Sequence, residues 1–142
     1  MLKVNFYDRM EDDLLKFAVI VAKSQGKWVL CKHKERTTYE FPGGHRETGE
    51  DILTTARREL FEETGAVDYS IKQICVYSVT AKDGISREES FGMLYYADIR
   101  LFEKLPNLEI EKIELFNELP DNWTYPEIQP FLLERVSCEF NN

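Results

Sequence analysis

The chain has little with which to build a disulfide framework. Its three cysteines, Cys31, Cys75 and Cys138, lie far apart, form no CxxC pair and are odd in number, which argues against a fold stapled by disulfides. Cys31 and Cys75 fall in apolar, strand-like runs, where small buried thiols are expected. No apolar run approaches the length of a membrane-spanning helix, and no charged-then-apolar leader opens the chain. These two absences predict a soluble, cytoplasmic protein. Positive charge is scarce: 18 Lys and Arg stand against 26 Asp and Glu, for a net charge of −8 and a pI near 4.9. Such a surface repels duplex nucleic acid and anionic membrane, so a small phosphorylated ligand has to be recruited by local cations. Internal repeats and low-complexity segments are also lacking. What is present is ordinary for a folded domain: 142 residues, 43% apolar and 13% aromatic, enough to bury one core over residues 1–142.

Leu2, Val4 and Phe6 alternate with polar residues and predict a short first strand. Leu14 to Lys23 and Lys27 to His33 are apolar runs parted by Ser24, Gln25 and Gly26, the pattern of a hairpin with a buried first strand. Lys32, His33, Lys34 and Arg36 then form a basic cluster, either a solvated loop or a place of phosphate capture. Tyr39 to Phe41 reads as a short strand halted by Pro42, with Gly43 and Gly44 allowing close backbone approach to a ligand or metal. Further strands are predicted over Ser70–Thr80, Phe91–Arg100 and Glu111–Phe116. Between the first two lies a polar loop holding Asp83-Gly84 and two acids, Glu88 and Glu89, either of which could reach a metal cluster. Thr124 and Glu127 have capping-box spacing for a last helix, which Pro130 can instead begin, with Phe131, Leu132 and Val136 on its buried side.

The stretch from Tyr39 to Val67 concentrates six glutamates and the Gly43-Gly44 pair. A helix from Asp51 to Thr64, capped by Thr48 or Glu50 and closed by Gly65, puts Leu53, Ala56 and Leu60 on one buried stripe. Glu59, Glu62 and Glu63 stand at i, i+3 and i+4, on nearly one turn of that helix. Like charges so placed repel by roughly 0.2–0.5 kcal/mol per pair in an isolated helix. A hard divalent cation offsets that repulsion, since Mg²⁺ takes carboxylate oxygens and holds substrate phosphates as well. Three glutamates alone are also compatible with a solvated acidic face. Arg58 either pairs with a neighbouring carboxylate or steers phosphate.

Gly44, five residues, Glu50, seven residues, then Arg58-Glu59-Leu60-Phe61-Glu62-Glu63-Thr64-Gly65 resembles the Nudix box of the Nudix hydrolase family, spanning 44–66. One position departs: the box usually ends on a bulky aliphatic residue, and Ala66 stands there with Val67 behind it, available to pack one residue late. More loosely, YEFPGG before the helix, YYADI and LFNELP resemble MutT-type nucleoside triphosphatases of Gram-positive bacteria linked to oxidised guanine nucleotides.

The resemblance implies an α/β fold, the Nudix α/β/α sandwich with a mixed sheet. It implies Mg²⁺-dependent hydrolysis of a nucleoside diphosphate linked to another group, with Mn²⁺ as a substitute. A nucleoside triphosphate such as 8-oxo-dGTP is the first substrate expected. A 5′-triphosphorylated RNA end, or a nucleotide-sensing role without turnover, is the alternative. By resemblance Glu59, Glu62 and Glu63 are metal ligands and catalytic groups, the Gly43 carbonyl is a further ligand, and Arg58 and Glu50 support them. The residues before PGG line the nucleotide pocket in MutT-like members, which makes Glu40 and Phe41 base contacts here. Gly44, Glu50, Lys34 and Arg36 complete the expected substrate-binding set, and Trp123 and Tyr125 are weaker stacking candidates. His45 is assigned no role. The chain is expected to act on a small nucleotide as a monomer or homodimer.

Overall fold

The computed structural model describes residues 2–81 and 88–140. Eight strands form one sheet: β1 (Leu2–Tyr7), β2 (Leu15–Ser24), β3 (Lys27–His33), β4 (Tyr39–Glu40), β5 (Gly43–His45), β6 (Ala66–Ala81), β7 (Glu89–Phe102) and β8 (Ile110–Phe116). The order is β1-β6-β7-β2-β3-β4, with β5 added to β2 and β8 to β3. Among the strand pairs of the described residues, β2 and β7 run parallel and the others antiparallel, so the sheet is mixed. The β2–β3 hairpin turns through Gln25 (φ 53°) and Gly26 (φ 78°), the two left-handed residues that a tight hairpin turn demands.

Two helices, α1 (Ile52–Thr64) and α2 (Gln129–Phe140), cover the sheet. Alternation along β2 decides which face each one meets. Ala18, Ile20 and Ala22 share a core with Ile52, Ala56 and Leu60 of α1, whereas Phe17, Val19 and Val21 share one with Leu132, Leu133 and Val136 of α2. The result is the expected α/β/α sandwich. Neither helix is long and apolar enough to cross a membrane, among the described residues.

The sheet splits along one edge of β2, and this opens the site. Ala22 to Ser24 pair with β3, but Phe17 to Val19 pair instead with His45, Gly44 and Gly43 of β5. The PGG segment is thereby drawn into the sheet beneath α1. A Cβ at Gly43 would lie 2.5 Å from the Ala18 carbonyl oxygen, and one at Gly44 would fall within the Glu59 carboxylate. Both positions need glycine for close approach.

Several expectations are corrected. Asp51 caps α1, its Oδ1 accepting from the Thr54 N–H at 2.8 Å; neither Thr48 nor Glu50 does. Gly65 closes the helix as expected, at φ 80°. Leu53 is 40% exposed, because the buried stripe runs Ile52, Ala56, Leu60 at intervals of four, and Leu53 lies outside it. That rotation carries Glu63, three residues beyond Leu60, onto the buried face. Val67 does not take over the packing at the helix exit: Ala66 is buried and Val67 is exposed, so the alanine fills the position by itself. Helix α2 begins at Gln129 rather than behind a Thr124 cap, since the Thr124 hydroxyl bonds Thr38 Oγ1 at 2.7 Å. Phe131 is half exposed, while Leu132 and Val136 are buried as expected. Cys31 and Cys75 are buried free thiols.

Candidate functional site

The last two turns of α1 present Glu59, Glu62 and Glu63 beside the Gly43-Gly44 backbone. Glu63 is 9% exposed, and its Oε1 accepts the Gly43 N–H at 2.9 Å. No cationic side chain pairs with it among the described residues. Burial pushes its carboxyl up to about 8, against the pull of the Gly43 N–H, with Glu59, Glu40 and Glu109 adding repulsion. Burial raises Glu59 as well, partly offset by Arg58.

Arg58 is the hub of the arrangement. Its Nε donates to Glu50 Oε2 at 2.5 Å and its Nη1 to Glu59 Oε1 at 2.6 Å. Nη2 reaches the His45 carbonyl at 3.1 Å and Glu50 Oε1 at 3.0 Å, and Nη1 lies 3.5 Å from Glu62. Of the two roles left open for Arg58, the structure shows pairing with carboxylates. The planar guanidinium suits that shared task because its donors are fixed in a fork. Arg58 holds Glu50 down at about 2, with help from the Glu47 N–H and the Thr55 hydroxyl.

Donor chemistry permits a test of the implied metal. Glu63, with no cationic partner among the described residues, and Glu59, which shares Arg58 with Glu50, offer the hard oxygen ligands that a Mg²⁺ site requires. The backbone at Gly44, too close to Glu59 for a Cβ, leaves only main chain beside that carboxylate. No three His, Cys, Asp or Glu side chains among the described residues are already gathered around one point. Arg58 accounts for part of this, since it holds Glu59 by one hydrogen bond and Glu50 by two. Glu59 can therefore turn to an ion without releasing Arg58 from Glu50. The residues fit a hard divalent cation.

Through the Gly43-Gly44 turn the carboxylates adjoin a cavity of about 550 Å³ on the α2 face of the sheet. Phe17, Val19, Tyr77 and Val79 form much of its apolar lining, with Glu40, His45 and Glu88 among its polar members. Phe41 borders it but is 1% exposed, packed between Trp28 and Trp123 with ring centroids at 6.2 and 5.7 Å. Trp123 is partly buried and packs against the core, whereas Tyr125 lines the cavity and carries Arg36 over its ring at 5.8 Å.

The basic cluster disperses. Lys32 pairs with Glu111 at 3.0 Å, Lys34 donates to Asn107 at 2.7 Å, and His33 Nε2 lies 3.8 Å from Glu109. Only Arg36, 3.0 Å from Glu40, stands at a residue of the cavity. Glu88 lines the cavity, while Glu89 turns to the Tyr7 and Ser78 hydroxyls. Asp83-Gly84 lies outside the described residues. His45, assigned no role on sequence, lines the cavity from an exposed position, and Tyr77 and Gln129 are among the lining residues that the sequence reading did not single out. Gln129 had a signal, for it shares the i, i+3, i+4, i+7 stripe of Leu132, Leu133 and Val136, and a polar residue on such a stripe is a buried polar group.

Comparison with known proteins gives a consistent result. The NUDIX domain family matches residues 14–129. A Bacillus subtilis (strain 168) protein named "Putative 8-oxo-dGTP diphosphatase YtkD" is 36% identical over 122 residues, 85% of this chain and 74% of its own. The crystal structure of the Bacillus subtilis pyrophosphohydrolase BsRppH superposes with a TM-score of 0.76 at 30% identity, covering 97% of this chain and 90% of that one. A UDP-X diphosphatase, at 18% identity and TM-score 0.72 over 89% of this chain and 63% of its own, shares the fold.

Proposed function

The chain belongs to the NUDIX family and is a Nudix pyrophosphohydrolase, and from that premise we propose that it acts with Mg²⁺ on a nucleoside triphosphate such as 8-oxo-dGTP, yielding the monophosphate and pyrophosphate. One observation carries the reading: the buried Glu63 carboxyl, with no cationic partner among the described residues, and the neighbouring Glu59 meet a largely apolar cavity across a two-glycine turn. The similarity to YtkD supports the choice of substrate.

Glu59, Glu62, Glu63 and the Gly43 carbonyl would hold the ion. Once bound, it supplies charge neutralisation on the diphosphate oxygens and lowers the pKa of an attacking water. Arg58 keeps Glu50 and Glu59 in fixed orientation through its fork of donors. One of the α1 carboxylates would accept the proton of the attacking water. Gly43 and Gly44 keep side chains out of the gap between carboxylates and cavity. The cavity takes the base, and Glu40, with Arg36 beside it, stands where base and phosphates would meet. Tyr125 offers the stacking face first expected of Phe41, whose ring is enclosed by two tryptophans.

A 5′-triphosphorylated RNA end is the second reading, supported by the likeness to the pyrophosphohydrolase BsRppH over nearly the full chain. A panel of nucleoside triphosphates and triphosphorylated RNA with Mg²⁺, scored for pyrophosphate against phosphate, tests both. Rapid pyrophosphate release from 8-oxo-dGTP is expected. Turnover of RNA ends alone would promote the second reading, and undiminished turnover in EDTA would remove the metal.

A further inference from the structure

The sheet leaves a long stretch of strand uncovered on one side. Strand β1 pairs with β6 over residues 76–81, so residues 66–75 of β6 have β7 on one side and no strand on the other among the described residues. Residues 67–75 make no main-chain hydrogen bond outside the sheet pairing, again among the described residues. Val67 and Ile74 are bulged, and between them residues 68–73 run without an extra residue, the irregularity after Asp68 lying on β7 at Arg100. Such an edge offers a row of unpaired N–H and C=O groups to another strand.

Helix α1 extends that edge with apolar surface. Arg57 lies over the Tyr69 ring at 5.5 Å and its Nη1 donates to the Tyr69 hydroxyl at 3.2 Å, which places the Arg57 flank of α1 beside the uncovered strand. Leu53 and Phe61, four residues to either side of Arg57, share its flank. Both are exposed, as is Val67 at the start of β6. On the strand, Tyr69 and Ile71 are only partly buried against the α1 core. None of these residues lines the cavity.

The charges along the edge point to a second copy of the same chain as its occupant. Residues 68–72 read Asp-Tyr-Ser-Ile-Lys. Laid antiparallel against itself about a two-fold axis at Ser70, this segment sets Asp68 of each copy opposite Lys72 of the other and Tyr69 opposite Ile71. Opposite charges then meet on one face of the joined sheet and apolar groups on the other. An axis one residue to either side opposes Asp68 or Lys72 to Ser70 and loses the ion pairs. We infer that residues 68–73 of β6, with the flank of α1 carrying Leu53 and Phe61, form a homodimer interface in which two β6 edges pair antiparallel about Ser70.

The test is sedimentation equilibrium of the full chain at about 0.15 M salt, where repulsion between two chains of net charge −8 is largely screened. A six-residue edge with one helix flank is a small interface, so the apparent mass should rise from one chain towards two between about 1 and about 500 µM. Asp68→Lys sets like charges opposite one another twice in the dimer and should weaken association about tenfold. Adding Lys72→Asp to that variant should restore it, a rescue that a general loss of stability would not show. Leu53→Lys should weaken association as well. Register is read by Ser70→Cys in a Cys138→Ser background, which removes the exposed native thiol. Mild oxidation should join two such chains, because residues opposed across antiparallel strands have Cα atoms about 4.5–5.5 Å apart, within disulfide reach. Glu111→Cys in the same background, on the β8 edge, should not crosslink. A mass of one chain at every concentration overturns the inference. So does a dimer indifferent to both charge variants, or one that crosslinks through Glu111→Cys and not through Ser70→Cys, because that dimer uses another surface.

Discussion

Glu63 permits a quantitative test in the metal-free protein. Its carboxyl is raised from an ordinary value of 4.5 to about 8, with burial as the main cause. Between those two values the native state holds one proton that the unfolded chain has released. Stability then falls as pH rises, by about 1.4 kcal/mol per pH unit for one proton. The contribution is complete below pH 4.5 and is lost as pH climbs through about 8, a total of roughly 4 to 5 kcal/mol. Because Glu63 is nine-tenths buried, solvent screening subtracts little. Glu50 does not interfere, since its carboxyl is lowered to about 2 and its stabilisation is lost only as pH falls from 4.5 through 2. The assay is denaturant unfolding in EDTA at intervals from pH 5 to 8.5, for the parent and Glu63→Gln. Repulsion among the other acids is nearly common to both proteins, so the difference in slope isolates Glu63. The parent should lose stability more steeply than the variant over this range, and saturating Mg²⁺ should flatten that excess by favouring the ionised carboxylate. Equal slopes in EDTA would refute the claim that Glu63 is protonated in the metal-free native state.

Other perturbations read other parts of the site. Glu59→Gln should lower kcat by several orders of magnitude while leaving circular dichroism unchanged, because the amide keeps the shape and loses the charge. Gly44→Ala should abolish turnover measured by pyrophosphate release, since the added methyl occupies the place of the Glu59 carboxylate; full activity would show that Glu59 need not hold this position. Phe41→Ala should cost about 3–5 kcal/mol in denaturant unfolding, as expected of a ring enclosed by Trp28 and Trp123. A loss under 1 kcal/mol would mean that the ring is not core. Asp51→Ala should cost about 1 kcal/mol through the lost helix cap without changing kcat.

Much of the molecule is a local property of the chain. The start and stop of α1 depend on Asp51 and Gly65, on hydrogen bonds no more than four residues long, and the β2–β3 hairpin depends on its Gln25-Gly26 turn. The spacing of Glu59, Glu62 and Glu63 places them on nearly one turn of any α-helix, so the candidate metal ligands were legible before the fold was. The rotation of α1 was not, because Leu53 and Ile52 are both apolar and only the shape of the sheet beneath chose Ile52 for burial. That choice made Glu63 the buried acid. Whether Arg58 meets carboxylate or solvent depended on Glu50, eight residues away, being folded back to it. The cavity belongs wholly to tertiary structure: Tyr77, Gln129 and the PGG turn are far apart in the chain and converge because β2 exchanges β3 for β5 along one edge. Periodicity can report that a residue is buried, but it cannot report which distant backbone N–H will fix its amide. For Gln129 that was the N–H of Phe41, 88 residues earlier in the chain.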